Sequence, residues 1–456
     1  MKNQIAIRNR KIFKRTTTLA VLLIAVALVV PSHQLSAAAM APATETTVVL
    51  QTADAVQLQG NFQDVNSGGG DQTQPHLACN LATYTNDDFR GSSTVHYKDL
   101  STGADMVIPG NQVDLLSDVS GSRIAFTEVT FAGDTVAVYD TVSQTRTAIP
   151  GLNKSGPSIG GNLVAFQYYP DSNGWHTSEI ATYDLATQTL TQLTNDGLAN
   201  YWVDVSPTGD TVVWEKCQTY GVGCDIYSAR QTSPGVFTTT ALTQGGGDDR
   251  VPSTNGELAV YTSNRSGEND IYYQSVTGGS EVHLSIPGEQ RNPSISGHLI
   301  SFESQDQNGY DIFVYDVSSG KLFRVTDTPG RDETINDISV CNGVGKIIYV
   351  FPGDGSFDLY GFTFNVPTTT TTTTQVEDLI SLVQSFGLPH GITNSLIAKL
   401  QDALTAFGSY DTATACSSLT AFTNECRAQS GKKLTADQAS QLITSANQIK
   451  TNLGCP

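Results

Sequence analysis

Basic residues are scarce in this 456-residue chain: 25 Lys and Arg stand against 44 Asp and Glu, a formal net charge of −19. Binding to nucleic acid needs clustered Lys and Arg to displace counterions from phosphate, and adhesion to an anionic membrane surface needs the same. Nucleic acid is therefore not an expected partner. Long apolar runs are absent after Val30, and the one before it, LAVLLIAVALVV, has 12 residues where a bilayer-spanning helix needs roughly 20. That run follows a segment carrying Lys2, Arg8, Arg10, Lys11, Lys14 and Arg15 and precedes Ala37-Ala38-Ala39. The order basic, apolar, small predicts a secretory signal peptide over residues 1–39 and a mature chain without a transmembrane anchor, destined for the extracellular space, periplasm or cell surface.

Catalytic signatures are missing as well. There is no H-E-x-x-H and no C-x-x-C, and the six histidines beyond the leader (His76, His96, His176, His283, His298, His390) are scattered, which leaves a zinc site unsupported. The glycine runs 68–70 and 245–247 are not followed by Lys-Ser/Thr, so they read as loops and not phosphate cradles. Asp87-Asp88 and Asp248-Asp249 are adjacent, and neighbours on a strand point to opposite faces, so neither is an acid/base pair by itself. Paired carboxylates, nucleophiles and metal ligands thus nominate no catalytic residue.

What the sequence does have is repetition. VPSTNGELAVYTSNRSGENDIYYQSVTGG (251–279) is followed by NPSISGHLISFESQDQNGYDIFVYDVSSG (292–320), with Pro252 returning as Pro293, Tyr261 as Phe302 and Asp270-Ile271-Tyr272 as Asp311-Ile312-Phe313. An aromatic closes a short apolar strand in every unit: Tyr84, Phe126, Phe166, Trp214, Tyr261, Phe302 and Tyr349. A second strand follows each anchor, then a turn-linked third. Seven such units at about 40-residue spacing predict an all-β seven-bladed β-propeller over residues 40–366. A linear solenoid would need caps at its ends, and none is legible. The seventh unit stops at DLYGFTFNV without an outer strand, whereas the N-terminal piece TTVVLQTADAVQLQGNFQ has strand character and no unit of its own. Pairing the second with the first closes the ring and removes exposed edges. Asp140, Asp184 and Asp316, each before a turn, are expected to cap turn amides.

Seven cysteines in an exported chain read first as disulfides. Cys217 and Cys224 flank a Gly-containing turn and could bridge two hairpin arms. Cys79 and Cys341 fall in the first strand, or its turn, of the first and last repeats, which become neighbours if the ring closes. Cys416, Cys426 and Cys455 lie in the C-terminal part, so one of the three is left over.

Ser206-Pro207-Thr208-Gly209-Asp210 with TVVW, then DIYSAR and ALTQGG, resembles the TolB-like propeller repeat, as do Leu193-Thr194-Asn195 and Val325-Thr326-Asp327 at blade ends. The resemblance covers about residues 51–366, and one copy alone keeps S-P-x-G. It implies a protein-binding platform.

Beyond Pro367 an unbroken threonine run, 368–374, makes residues 367–375 a Thr-rich linker. The period then changes from two to 3.6: Val376, Leu379, Ile380, Val383 and Phe386 form one stripe, and Leu396, Ile397, Leu400, Leu404 and Phe407 another. With Asp411 as an N-cap and Thr435 with Gln438 as a capping box, residues 376–456 are expected to form a small all-α four-helix domain. Leu388-Pro389, Gly391-Ile392, Gln429-Ser430-Gly431-Lys432-Lys433-Leu434-Thr435 and Leu453-Gly454-Cys455 resemble the FIMAH domain of secreted bacterial proteins. That resemblance implies an accessory role and a Cys416–Cys455 bond, leaving Cys426 as a buried free thiol.

These features point to a secreted, non-catalytic propeller that binds an extracellular protein or polysaccharide. The alternative is a carbohydrate-active enzyme, a lyase or glycosidase with acid/base residues in the channel. No cofactor is implied. Acidic loops around Asp171, Asp306 and Asp354 offer the hard oxygen ligands Ca²⁺ takes, at spacings unlike an EF-hand. If those loops bind the ion, calorimetric titration with Ca²⁺ releases heat and raises the melting temperature; a silent titration removes the idea.

Overall fold

The computed structural model describes residues 45–88, 91–110, 113–151, 153–170, 177–307, 309–353, 355–367, 372–408, 411–453 and 455. The expected signal peptide, residues 1–39, lies outside them.

Seven sheets follow one another along the chain, each an antiparallel meander whose strands are named a to d from the axis outward. Blade 1 is Asp71–Ala78, Leu81–Asp87, Ser93–Asp99 and Asp105–Val107; blade 2 is Asp114–Ser120, Arg123–Glu128, Thr135–Asp140 and Thr145–Ala148. Blade 3 is Lys154–Gly160, Leu163–Tyr168, Glu179–Asp184 and Thr189–Gln192; blade 4 is Ala199–Val205, Thr211–Thr219, Val222–Ser233 and Val236–Ala241. Blade 5 is Asp249–Thr254, Leu258–Ser263, Asp270–Ser275 and Glu281–Ser285; blade 6 is Gln290–Ser296, Leu299–Asp306, Gly309–Asp316 and Lys321–Arg324. Blade 7 has Thr334–Cys341, Val344–Pro352 and Phe357–Asn365 as strands a to c, and its strand d is Gly60–Asn66 from the N-terminal segment. The ring is thus closed by a strand from the opposite end of the propeller sequence.

The rest of the N-terminal segment departs from the expectation that it would pair as one outer strand. Glu45–Val49 lies parallel on the outer edge of blade 5, and Val56–Gln57 lies parallel on that of blade 6. The segment therefore straps two consecutive blades before completing the last. It covers two open edges whose unpaired amides would otherwise be templates for other chains.

Apolar alternation on strands b and c explains the packing. Both faces of each blade are buried against neighbours, so Phe302 and Phe313 of blade 6 share a cluster with Val260 and Ile271 of blade 5. The anchors Tyr84, Phe126, Phe166, Trp214, Tyr261 and Phe302 are all essentially fully buried, and each contributes about 2–3 kcal/mol of burial. The Asp residues of the c–d turns do as expected: Asp140 accepts from Val142 and Ser143 N–H, Asp184 from Ala186 and Thr187, and Asp316 from Ser318 and Ser319.

The D-I-Y and L-T repeats form one local unit. In blade 6 the Thr326 hydroxyl donates toward Asp311 and accepts the Ile312 N–H at 2.8 Å. Glu179 with Thr194 and the Ile180 N–H repeats this in blade 3, and Thr243 accepts from Ile226 in blade 4. These acidic residues join strand c to the outgoing connection.

Strand a carries the least regular backbone. Every one has a bulge against strand b. At that bulge Gln74, Leu116, Gly156, Trp202, Val251, Asn292 and Ile335 all adopt left-handed φ between +46° and +57°. Such a φ strains β-branched Val251 and Ile335, at about 1–3 kcal/mol each, so the surroundings must over-determine it.

Four helices follow: α1 (Thr372–Ser385), α2 (His390–Gly408), α3 (Thr412–Gln429) and α4 (Ala436–Asn452). Helix α1 starts inside the threonine run, so Thr372–Gln375 are helical and not extended linker. Their shared core includes Val376, Leu396, Leu400, Leu419, Phe422, Cys426 and Leu442. Asp411 caps α3 through the Thr414 N–H at 2.9 Å, and Thr435 and Gln438 exchange reciprocal capping bonds at 2.9 and 3.1 Å.

Disulfides join Cys79 to Cys341, Cys217 to Cys224 and Cys416 to Cys455, while Cys426 is free and buried. The first joins the a–b turn of blade 1 to the end of strand a of blade 7 across 262 residues of sequence. Beside it the Cys79 N–H donates to Ser339 Oγ at 2.9 Å, and Leu77 N–H donates to Asp337 at 2.7 Å. Replacing both cysteines by serine is expected to lower stability by about 2–4 kcal/mol and to speed amide exchange at Leu77 and Cys79. Unchanged exchange at that seam, or free Cys79 and Cys341 thiols in the unreduced protein, would leave strand pairing alone to close the ring.

Candidate functional site

Two residues beyond each left-handed position, strand a presents one polar side chain per blade: His76, Asp118, Ser158, Asp204, Ser253, Ser294 and Asp337. They are linked around the axis. Asp204 Oδ1 accepts from Ser158 Oγ at 3.2 Å, which also donates to Asp118 Oδ2 at 2.7 Å. His76 Nδ1 stands 3.4 Å from Asp118 and 3.9 Å from Asp337, and Ser294 Oγ donates to Asp337 at 2.6 Å. The chain of contacts thus runs through blades 4, 3, 2, 1, 7 and 6.

The same side chains also hold neighbouring blades together. Asp118 accepts the Ile159 N–H at 2.7 Å, Ser158 that of Val205 at 3.0 Å, Asp204 that of Thr254 at 2.7 Å, Ser253 that of Ile295 at 3.3 Å, and Asp337 that of Leu77 at 2.7 Å. Each ring residue of blades 2 to 5 and 7 therefore accepts from the backbone of the next blade. One turn along, Ser120, Ser296 and Ser339 repeat the pattern with Gly161, Val340 and Cys79.

Crowding three carboxylates around one channel has an electrostatic consequence. Burial, reinforced by the charges of Asp118 and Asp337, pushes the Asp204 carboxyl up to about 7. Asp337 is also raised by burial, with His76 opposing. Sequence reading missed this ring because His, Asp and Ser share no residue type. Its legible trace is the recurring Pro at 75, 157, 252 and 293, one place before the ring residue.

The two ends of the propeller differ. Turns a–b and c–d share one end, which carries the Cys79–Cys341 bond and the Asp-capped turns. Loops b–c and the starts of strand a share the other, and there Phe131, Trp202, Tyr220 and Phe357 stand exposed. Trp202 occupies the left-handed position of blade 4 at the channel mouth and is 57% exposed. Tyr220, 61% exposed, tips the b–c hairpin of blade 4 and meets Tyr201 edge-on at 5.2 Å. Tyr201 in turn packs on Cys217 and Cys224. The hairpin is held at its base by Asp248, which accepts the N–H groups of Gly223 and Cys224 at 2.7 and 3.2 Å, and by Arg250, which donates to the Gly221 carbonyl.

Three of the scarce basic residues are committed inside blades. Arg265 bridges Asp249 and Glu281 at 2.7 and 2.8 Å, Arg146 lies between Asp114 and Glu128, and Arg291 pairs with buried Glu303 at 2.5 Å. Asp248 and Asp249 thus serve different partners, as their adjacency implied.

Of the three residues considered for Ca²⁺, Asp306 lies 3.4 Å from the Arg324 guanidinium, which already supplies a positive charge. Asp171 and Asp354 lie outside the described residues. Among the described residues the grouping with metal-ligand atoms is Glu215 with Cys217 and Cys224, and their disulfide removes the thiolates a metal would need.

A carboxyl raised on folding holds its proton in the native state after the unfolded chain has lost it, so its contribution to stability falls as pH rises from about 4 to 7. Asn at 204 keeps the acceptor for Thr254 without the charge. The melting temperature of Asp204→Asn relative to wild type is therefore expected to climb between pH 5 and 8, by an amount equivalent to roughly 1–3 kcal/mol. A pH-independent difference would contradict a carboxyl raised by burial and by the neighbouring charges in the channel.

No protein-family model matches the chain, and no curated protein matches it. Solved structures do. The β-propeller domain of the Trilobed protease from Pyrococcus furiosus aligns at 12% identity and TM-score 0.49, covering 65% of this chain and 95% of that one. Oligogalacturonate lyase in complex with manganese aligns at 13% identity and TM-score 0.48, covering 68% and 97%. TolB from Acinetobacter baumannii aligns at 17% identity and TM-score 0.39, covering 53% and 65%. The chain spans about half, 52%, of the acylaminoacyl peptidase from Pyrococcus horikoshii.

Proposed function

We propose that this protein is a secreted, non-catalytic binding module that engages an extracellular protein or polysaccharide through the rim formed by the b–c loops. The observation that carries the reading is the asymmetry of the two ends: exposed aromatic side chains gather at one, while closure devices occupy the other. Exposed Trp and Tyr held rigidly supply large contact area at small entropic cost, which is why they dominate binding hot spots. Three disulfides suit the oxidising compartment that the leader implies. The four helices after the propeller, read as FIMAH-like, serve as an accessory module.

A second reading has its own observation. His76, Asp118, Asp204 and Asp337 line the channel, and a carboxyl at about 7 suits a general acid or base near neutral pH. Against it, each of the three carboxylates already accepts a backbone N–H from the next blade, a structural duty that fixes its orientation.

Incubation of the mature protein with a panel of polysaccharides and proteins is expected to release no fragments. Retention on its target should be lost when Trp202 and Tyr220 are both changed to Ser, and kept when exposed Val142 at the opposite end is changed. Released oligosaccharide that disappears with Asp204→Asn would replace this reading with the enzymatic one.

A further inference from the structure

Resting on the binding reading, we infer that the Tyr220–Tyr201–Trp202 ledge of blade 4 is a glycan subsite for an uncharged or amino-bearing sugar polymer. The ledge is preorganised more firmly than a loop tip needs to be for folding. Tyr220 sits between Cys217 and Cys224, directly paired across strands b and c, and the hairpin is further tied to blade 5 through Asp248 and Arg250. Tyr201 below it is 6% exposed, so Tyr220 stands on a fixed base. The next residue, Trp202, turns outward at the channel mouth. Rigid aromatic surface of this kind binds without the entropic loss of ordering a loop.

Polarity and charge define what fits it. The C–H face of a pyranose packs on the negative face of an aromatic ring, while its rim hydroxyls need hydrogen-bond partners. Such partners stand nearby on blade 3: the Tyr169 hydroxyl, close enough to perturb Tyr201, bonds Ser155 Oγ at 3.1 Å and Gln167 Oε1 at 3.0 Å. Cations that flank the ledge are committed: Arg250 donates to the Gly221 carbonyl, Lys154 to that of Pro150, and Lys216 pairs with Asp196 at 2.7 Å. The carboxylates of Asp118, Asp204 and Asp337 lie in the channel that Trp202 overlooks. A uronate, phosphate-bearing or nucleic-acid polymer would meet negative charge without a counter-charge, whereas a neutral or ammonium-bearing sugar meets complementary groups. A protein partner is less well matched, since hot-spot aromatics in protein interfaces fill desolvated apolar pockets, and here the polar Tyr169, Ser155 and Gln167 group stands on the adjoining blade.

The test uses the full mature chain and three insoluble probes, chitin, its partly deacetylated form and cellulose, with polygalacturonate beads as the anionic comparison. The wild-type protein is expected to be retained on at least one of the first three and not on polygalacturonate. Trp202→Ala and Tyr220→Ala should each weaken retention about tenfold or more, Trp202→Phe should restore part of it, and Val142→Ala at the opposite end should leave it unchanged; unaltered melting curves establish that the variants fold. Equal retention of the two Ala variants and wild type would overturn the subsite. Failure of all three probes, with capture of a protein partner that still needs Trp202 and Tyr220, would overturn the glycan assignment while sparing the rim as the binding face. Capture that ignores both residues would sink the rim as well.

Discussion

Ring closure is the constraint on which everything else depends. A propeller's blades are held by lateral contacts alone, and here the inner strands of blades 2 to 5 and 7 reach sideways through an acceptor two residues past the bulge. The bulge turns that side chain toward its neighbour, which is why seven unrelated residues share one left-handed conformation. At the seam between blades 1 and 7 the device is doubled: Asp337 and Ser339 accept from Leu77 and Cys79, and the Cys79–Cys341 bond makes the seam covalent. The N-terminal segment completes the closure from outside, running over blades 5 and 6 before it becomes the last strand of blade 7.

Closure also decides where binding can occur. The disulfide and the Asp-capped turns occupy the a–b and c–d end, which is thereby filled with satisfied polar groups. The b–c end is left free of that duty, and its blade 4 hairpin has been given a separate brace of its own. The channel between them carries crowded carboxylates whose first role is structural. A raised Asp204 is what burial beside Asp118 and Asp337 produces, and a general acid is not needed to explain it.

Much of the fold was legible in residue patterns, for identifiable reasons. Strands b and c alternate cleanly and end on buried aromatics, so Tyr84 through Tyr349 marked seven units. The incomplete last unit and the orphan N-terminal strand implied one another. Strand a was not legible as a strand, because its bulge breaks the period of two that strand recognition relies on. The ring residues were lost with it. The parallel pairing of Glu45–Val49 and Val56–Gln57 was not foreseeable, since a short strand's sequence does not name the edge it joins. Trp202 escaped notice because an aromatic in a strand pattern ordinarily reads as core, and Tyr220 because its turn stood out only for the cysteines that flank it. Only the φ of +46° at Trp202 and the bridged hairpin under Tyr220 turn them outward.

The account's central claim, that binding occurs at the b–c end of the ring, is tested most directly by hydrogen-exchange mapping of the protein with and without its bound target. The account expects added protection at 199–203 and 219–223 and none at the a–b turns around 121–122 and 342–343. Protection confined to those turns, or to the outer strap at 45–49, would contradict it.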